Sequence, residues 1–163
     1  MQERQNGQKK WLGGCPVGAI REIRRNEDGS VGEMFVGDFS ITRHTFAEII
    51  DEDKRAERKR INDEKEVGDE EIIWTIGDWL AQSHHGKGIM TIVVKTMVDW
   101  AVRNMNVHHI RALVGVGNIG SSRVFEKNGF TLLETVRDAY PLPEVKGGGR
   151  ASFHVFEWTR NRT

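Results

Sequence analysis

The sequence predicts a single domain of the α/β (α+β) class over residues 1–163, with helices flanking a mixed, mostly antiparallel central sheet. The chain of 163 residues has the size of one ordinary domain and can bury a core without disulfides or metal ions. Apolar residues alternate in several short segments and recur at helical spacing in longer ones. The predicted element order is therefore β-β-(charged insert)-β-α-β-α-β-β, and the sequence contains no internal repeat.

The charge balance argues against two classes of partner. The chain has 24 basic and 24 acidic residues and a sequence pI near 7.0, so no strong attraction to nucleic acid or to an anionic membrane is expected. No apolar run approaches the ~20 residues of a membrane-spanning helix. Residues 1–10 form a polar arm without the apolar centre of a signal peptide, and the one cysteine, Cys15, has no partner for an internal disulfide. A cytoplasmic protein is expected.

The first regular structure is predicted to be a β-hairpin over residues 17–41. Apolar and polar residues alternate at its start, and the turn at 26–30 contains Asp-Gly, which supplies the positive φ of a tight connection. A second strand follows over residues 31–41.

Residues 43–71 form a charged insert. Positions 51–60 are almost wholly charged, with opposite charges three and four residues apart, as in a solvated helix. The insert is predicted to be an exposed helical excursion or a mobile loop. A nucleic-acid patch is disfavoured because the acidic side chains neutralise the basic ones.

The second half of the chain is predicted to contain alternating strands and helices. A β-branched and aromatic run predicts a central strand over residues 71–81, and an apolar stripe predicts a helix over about 87–105. The residues expected on that stripe are Ile89, Val93, Met97, Trp100 and Ala101. The remaining predicted elements are a strand at 110–116, a helix at 119–127, and strands at 130–136 and 152–160 joined by a flexible loop.

The first candidate ligand-binding segment is Gly86-Lys87-Gly88, between a predicted strand and a predicted helix. A helix N-terminus has unpaired N–H groups and the positive end of the helix dipole. Glycines there let an anion approach the backbone, so the segment suits a pyrophosphate, while Lys87 either adds a charge or faces solvent. The segment is not a Walker A loop, because the longer pattern is absent. It is not a dinucleotide fingerprint, because Thr91 stands where glycine or alanine is required.

A second motif follows the next strand: Gly117-Asn118-Ile119-Gly120-Ser121-Ser122-Arg123-Val124-Phe125-Glu126-Lys127-Asn128-Gly129-Phe130. Together with Ser83-His84-His85-Gly86-Lys87-Gly88, it resembles the GNAT superfamily of acetyl-CoA-dependent N-acetyltransferases, in the branch that includes ribosomal-protein N-terminal acetyltransferases. Ile76-Gly77-Asp78-Trp79-Leu80 and Arg137-Asp138-Ala139-Tyr140 resemble two further segments of that branch. The resemblance covers roughly residues 17–160 apart from the charged insert.

The resemblance implies direct transfer of acetyl from acetyl-CoA to a primary amine, without a covalent enzyme intermediate, so Cys15 is not expected to be a nucleophile. The third strand is expected to separate from residues 113–116 and to admit the pantetheine. A backbone N–H near Leu80 would polarise the thioester carbonyl, and main-chain N–H groups after Gly86 would hold the pyrophosphate. The expected cofactor contacts are Leu80, Ala81, His85, Gly86, Lys87, Gly88, Ile89, Met90, Asn118, Ser121 and Phe125.

Two residues are expected to transfer protons during the reaction. By family analogy Ser121 protonates the departing thiolate and Asn118 bonds the cofactor, although both are also ordinary helix-capping residues. Asp78, on the separating strand, is the first candidate for the base that deprotonates the amine. A solvent-facing aspartate without a catalytic role is the alternative, and the other candidate bases are Glu33, Glu134 and Tyr140.

The chain departs from the family pattern in several places. Phe125 stands where many relatives have the tyrosine that protonates the thiolate, and Ser83 stands where glutamine or arginine is usual. The strand and two helices that normally precede the hairpin, and that line the acceptor pocket, are apparently missing. Either the chain is truncated, or another chain or the charged insert supplies that wall. These departures leave a second hypothesis, a non-catalytic acyl-CoA-binding or protein-interaction module.

The acceptor is left open by the sequence. A protein N-terminus, a lysine and a small-molecule amine are all compatible with the motifs, and a homodimer is possible. Trp79 is either a core residue or part of the acceptor cleft. No metal site is expected at His84-His85 or His108-His109, because adjacent histidines tend to point apart and no carboxylate or thiolate stands beside them at ligand spacing.

Overall fold

The computed structural model describes residues 14–160, so the polar arm predicted for residues 1–10 lies outside the described residues. The strands are β1 (Gly14–Arg25), β2 (Val31–Arg43), β3 (Ile73–Leu80), β4 (His109–Gly115), β5 (Thr131–Pro141) and β6 (Arg150–Thr159). The helices are α1 (Glu52–Glu64), α2 (Ile89–Met105) and α3 (Ile119–Lys127), and short 3-10 turns occupy Gln82–His84 and Glu144–Lys146.

The strands form one six-stranded sheet in the order β1-β2-β3-β4-β6-β5. Neighbouring strands are antiparallel, except β3 and β4, which run parallel because α2 crosses over between them. This arrangement confirms the predicted mixed, mostly antiparallel sheet with flanking helices. The predicted hairpin is confirmed as β1 and β2, with Gly29 at a φ of 81° in the turn.

The main core lies between one face of the sheet and α2. Trp74 and Ile76 of β3 contribute to it, and the fully buried side of the helix consists of Met90, Val94, Val98, Ala101 and Met105. The predicted stripe was therefore wrong by one position along most of the helix, since Ile89, Val93, Met97 and Trp100 are half-buried. Apolar residues stand in adjacent pairs on this helix, and periodicity alone does not say which member of a pair is central.

Helix α1 is anchored to the sheet, so the helical alternative for the charged insert is the one observed. The buried Asn62 donates through Nδ2 to Ile73 O and accepts from Ile73 N–H through Oδ1, each at 2.9 Å. Arg43 donates to the carbonyls of Asn62 and Lys65, which lie in and just after the last turn of α1. These bonds satisfy main-chain groups at the start of β3 and at the end of α1.

A buried polar network lies next to this anchor. Glu48 accepts from His44 Nε2 at 2.9 Å and from Arg111 Nη1 at 2.5 Å, and Arg111 also donates to Glu157 at 3.3 Å. Burial opposes ionisation of Glu48, but the hydrogen bond and charge of His44, together with Arg111, outweigh it and hold the pKa of Glu48 below its usual value. The network ties the loop after β2 to β4 and β6.

Candidate functional site

The candidate site begins where β3 and β4 separate. Register pairs between these strands run from Ile73↔His109 to Ile76↔Ala112 and then stop. In the described part of the chain, residues 77–80 continue to pair with β2 and residues 113–115 with β6, but not with each other. The predicted separation is confirmed, and it leaves a gap in the sheet between the ends of two parallel strands.

The backbone of β3 directs a donor into this gap. Ala81 N–H donates to Val36 O on β2 at 2.7 Å. Successive N–H groups of a strand point to opposite edges, so the N–H of Leu80 points towards β4, where no described strand pairs with it. On the β2 side the strands are so close that a Cβ at position 37 would lie 2.3 Å from Trp79 O, and only glycine fits.

The loop between β3 and α2 is open to an anion. Gly86 and Gly88 have φ values of 72° and 75°, and a Cβ on either would meet no atom within 4 Å. Gly88 is the N-cap of α2, and the first bond of the helix runs from Ile92 N–H to Gly88 O at 3.2 Å. The N–H groups of the first helical turn, from Ile89 onward, are therefore exposed to the loop with the positive end of the helix dipole.

Two histidines hold this loop in place. His85 donates through Nε2 to Leu80 O at 2.8 Å, at the end of β3. His84 is buried, with Nδ1 2.9 Å from Ser83 Oγ and Nε2 3.3 Å from a carboxylate oxygen of Glu22 on β1. Ser83 thus bonds to a neighbouring side chain. The His84–Glu22 bond could not be predicted, because nothing in the sequence links residues so far apart.

The start of α3 has the geometry of a helix cap. Asn118 is the N-cap, and its Oδ1 accepts from Ser121 N–H at 3.1 Å. The cap leaves the Asn118 amide group and the Ser121 hydroxyl for other partners. Phe125 is 1% exposed and packs in the core against Phe130 and Phe156, so a cofactor contact through its ring stays a prediction that its burial disfavours.

Asp78 lies on β3 at the gap, as predicted. Burial raises the pKa of its carboxyl group, and repulsion from Asp38 on β2 raises it further. A carboxylate with a raised pKa next to a cleft has the properties of a general base. Its role as the base stays a prediction.

The other candidate bases are placed differently. Glu33 pairs with Arg21 at 3.0 Å, Glu134 is exposed on β5, and the Tyr140 ring packs 6.2 Å from Phe153. None of these three lies on β3 beside the gap. Asp78 is therefore the candidate that the strand geometry favours.

Residues 14–160 contain neither a membrane-spanning helix nor a cluster of metal-ligating side chains. No helix there is long and apolar enough to cross a lipid bilayer. No group of three or more histidine, cysteine, aspartate or glutamate side chains is arranged there to hold a metal ion.

The strand pair thus opens beside a glycine loop and a helix N-terminus, which together present main-chain donors to an anionic ligand. A family model described as acetyltransferase (GNAT) domain matches residues 20–131. That span is more than half of the chain, and the chain belongs to the GNAT acetyltransferase family.

Individual relatives are similar over parts of their length. The probable N-acetyltransferase YjcK of Bacillus subtilis (strain 168) is 49% identical over 55 residues, which are 34% of this chain and 30% of that protein. The ribosomal-protein-S5-alanine acetyltransferase from Vibrio fischeri is 18% identical with a TM-score of 0.54, covering 82% of this chain and 57% of its own.

The microcin C7 self-immunity acetyltransferase MccE, solved in complex with acetyl-CoA and AMP, is 16% identical with a TM-score of 0.53, over 77% of this chain and 55% of its own. These two solved structures share the fold with this chain. The chain spans less than two thirds of the length of each of the three relatives.

Proposed function

We propose that this chain is an acetyl-CoA-dependent N-acetyltransferase that acts on a primary amine by direct attack in a ternary complex. The observation that carries the proposal is the gap between β3 and β4 immediately ahead of the glycine loop and α2. Membership of the GNAT family supports it. The open space at Gly86 and Gly88, and the free N–H groups of the first turn of α2, fit a pyrophosphate.

Acetyl-CoA supplies a thioester whose carbonyl carbon is open to attack by an amine. The main-chain N–H groups of Gly86, Gly88, Ile89 and Met90 bind the pyrophosphate in this proposal, and the Leu80 N–H donates to the carbonyl oxygen as negative charge develops there. The remaining proposed contacts are Ala81, His85, Lys87, Asn118 and Ser121. His85 acts by fixing the position of Leu80 through its carbonyl.

The proton transfers are assigned to Asp78 and Ser121. Asp78 accepts a proton from the incoming ammonium group, and its raised pKa makes it a stronger base than an ordinary aspartate. Ser121 donates to the departing thiolate, since its hydroxyl has no hydrogen-bond partner among the described residues while its N–H is bonded to Asn118. We place the reaction in the cytoplasm, where acetyl-CoA is available. Activity as a homodimer stays a prediction.

Titration calorimetry with acetyl-CoA, followed by measurement of CoA release with a panel of amines, tests this function. We expect saturable binding and release of CoA that depends on the amine. Absence of binding at millimolar acetyl-CoA would contradict the proposal at its root. Binding without release for any peptide, lysine or polyamine acceptor would support the non-catalytic module instead.

A further inference from the structure

We propose that the acceptor carries a second cationic group, and that Phe35, Trp79 and Asp38 bind this group on the open face of the sheet beside the gap. The inference rests on the proposed function, because it names the class of amine that the same site takes. It is argued from the geometry of β2 and β3 and from the charges of their side chains.

A β-bulge creates the aromatic part of this surface. The β1–β2 register passes from Ile20↔Gly37 to Arg21↔Phe35, so Val36 is an extra residue in β2. Regular alternation would place Phe35 on the same face as Gly37, the face that is packed in the core at Phe39. The bulge instead turns Phe35 to the opposite face, where its ring stacks on Trp79 with the centroids 6.1 Å apart and an interplanar angle of 20°.

Both rings are open to solvent. Phe35 is 54% exposed and Trp79 is 52% exposed. Trp79 immediately precedes Leu80, whose N–H points into the gap, so the aromatic pair stands at the edge of the reaction centre. Two large exposed aromatic side chains held in contact are typical of a binding surface.

The unpaired charge beside the rings is negative, because Arg21, which lies opposite Phe35, is already paired with Glu33. Asp38 lies directly opposite Trp79 in the β2–β3 register, so the two side chains share a face. The structure gives neither Asp38 nor Asp78 a hydrogen bond or an ion pair to a described side chain, and their charges repel each other. The other charged pair on this face of the hairpin, Arg21 and Glu33, is joined by an ion pair at 3.0 Å.

The two aromatic rings and the carboxylate of Asp38 together favour binding of a cation. The face of an aromatic ring attracts an ammonium or guanidinium group, and a carboxylate at the ring edge adds a charge partner. An uncharged acceptor would cover the rings and leave Asp38 without a partner, and an anionic acceptor would be repelled. Because Trp79 and Leu80 are adjacent, one amine can enter the gap while a second cation, about a lysine side chain away, lies over the rings.

Binding tests the inference separately from turnover. The probes are 1,5-diaminopentane against 1-aminopentane, and a peptide with lysine at its second position against the same peptide with norleucine there. In protein saturated with CoA, the indole N–H signal of Trp79 is followed by NMR and assigned by its loss in Trp79→Phe.

We expect the dicationic probe of at least one pair to bind about five- to tenfold more tightly than its monocationic match. The pair that shows this preference identifies the source of the cation.

Variants sharpen the result. Asp38→Asn and Phe35→Leu should remove most of the preference for the second cation, whereas Asp99→Asn, an exposed change on α2, should leave it intact. Equal affinities within both probe pairs, or a preference that survives Asp38→Asn, would overturn the inference. CoA release by the same samples decides the proposed function, so an enzyme that acetylates both members of each pair equally well refutes the inference alone.

Discussion

The two ends of the β3–β4 pair are built in opposite ways. Where the strands begin, Asn62 satisfies both main-chain groups of Ile73, and Glu48 and Arg111 are paired and largely buried. Where the strands end, they separate, and the Leu80 N–H and the first turn of α2 are left without described partners. The end at Ile73, here called the closed end, pairs its polar groups within the fold, and the end at Leu80, the open end, leaves main-chain donors available to a ligand.

The largest effect is expected from closing the open end. Gly86→Glu places a side chain at a φ of 72° and a negative charge where the pyrophosphate is proposed to bind. Acetyl-CoA affinity measured by calorimetry should fall by about a hundredfold or more. Gly29→Glu is a matched control, because Gly29 has a φ of 81° in the hairpin turn and carries the same backbone strain. Equal loss of binding in both variants would attribute the effect to strain and not to the site.

Asp78→Asn should separate activity from stability. Loss of the base should lower kcat/KM by about a hundredfold or more, since general bases contribute roughly 10²–10⁴-fold. The folded pKa of Asp78 is raised, so its ionised form costs stability as the pH rises through that pKa. The asparagine variant should therefore unfold at a slightly higher urea concentration at neutral pH. Unchanged kcat/KM would remove Asp78 from the proton transfer.

Breaking the closed end should change stability without changing the ligand site. Asn62→Ala leaves the N–H of Ile73 without its partner, whereas the carbonyl of Ile73 keeps the bond from the His44 N–H at 3.0 Å. The free energy of unfolding should fall by about 1–3 kcal/mol, as measured by urea denaturation, while acetyl-CoA affinity of the folded protein stays within about twofold. A large loss of affinity would mean that the two ends are coupled.

The smallest effect is a pH dependence at the closed end. Because the folded pKa of Glu48 is lowered, its contribution to stability is present above the unfolded pKa and is lost as the pH falls through the folded pKa. The stability difference between wild type and Glu48→Gln should therefore be about 1 kcal/mol or more at neutral pH and shrink in acid. Glu27→Gln, an exposed control in the hairpin turn, should show little difference at any pH. A constant difference for Glu48→Gln would contradict this assignment.

The open end could largely be predicted from the sequence, because its features are local. Gly86 and Gly88 stand in one short run, and Asn118 caps the helix that it precedes. Backbone conformations of this kind depend on a few neighbouring residues. The element order of the sheet could be predicted for the same reason, since each element has its own apolar period.

The closed end and the aromatic surface could not be predicted, because their contacts join distant residues. Asn62 pairs with Ile73 across a charged segment whose sequence resembles any solvated helix. The bulge at Val36 appears only once β1 is paired with β2, and it changes which face Phe35 occupies. Sequence periodicity gave no signal for either feature.

The measurement closest to the central claim is an amide NMR titration of the whole chain with CoA. Binding between β3 and β4 should shift the backbone signals of Leu80, Gly86, Gly88 and Ile89, while the signals of Asn62 and Ile73 at the closed end stay in place. Shifts concentrated around Asn62 and Ile73, or no shifts at millimolar CoA, would contradict the account.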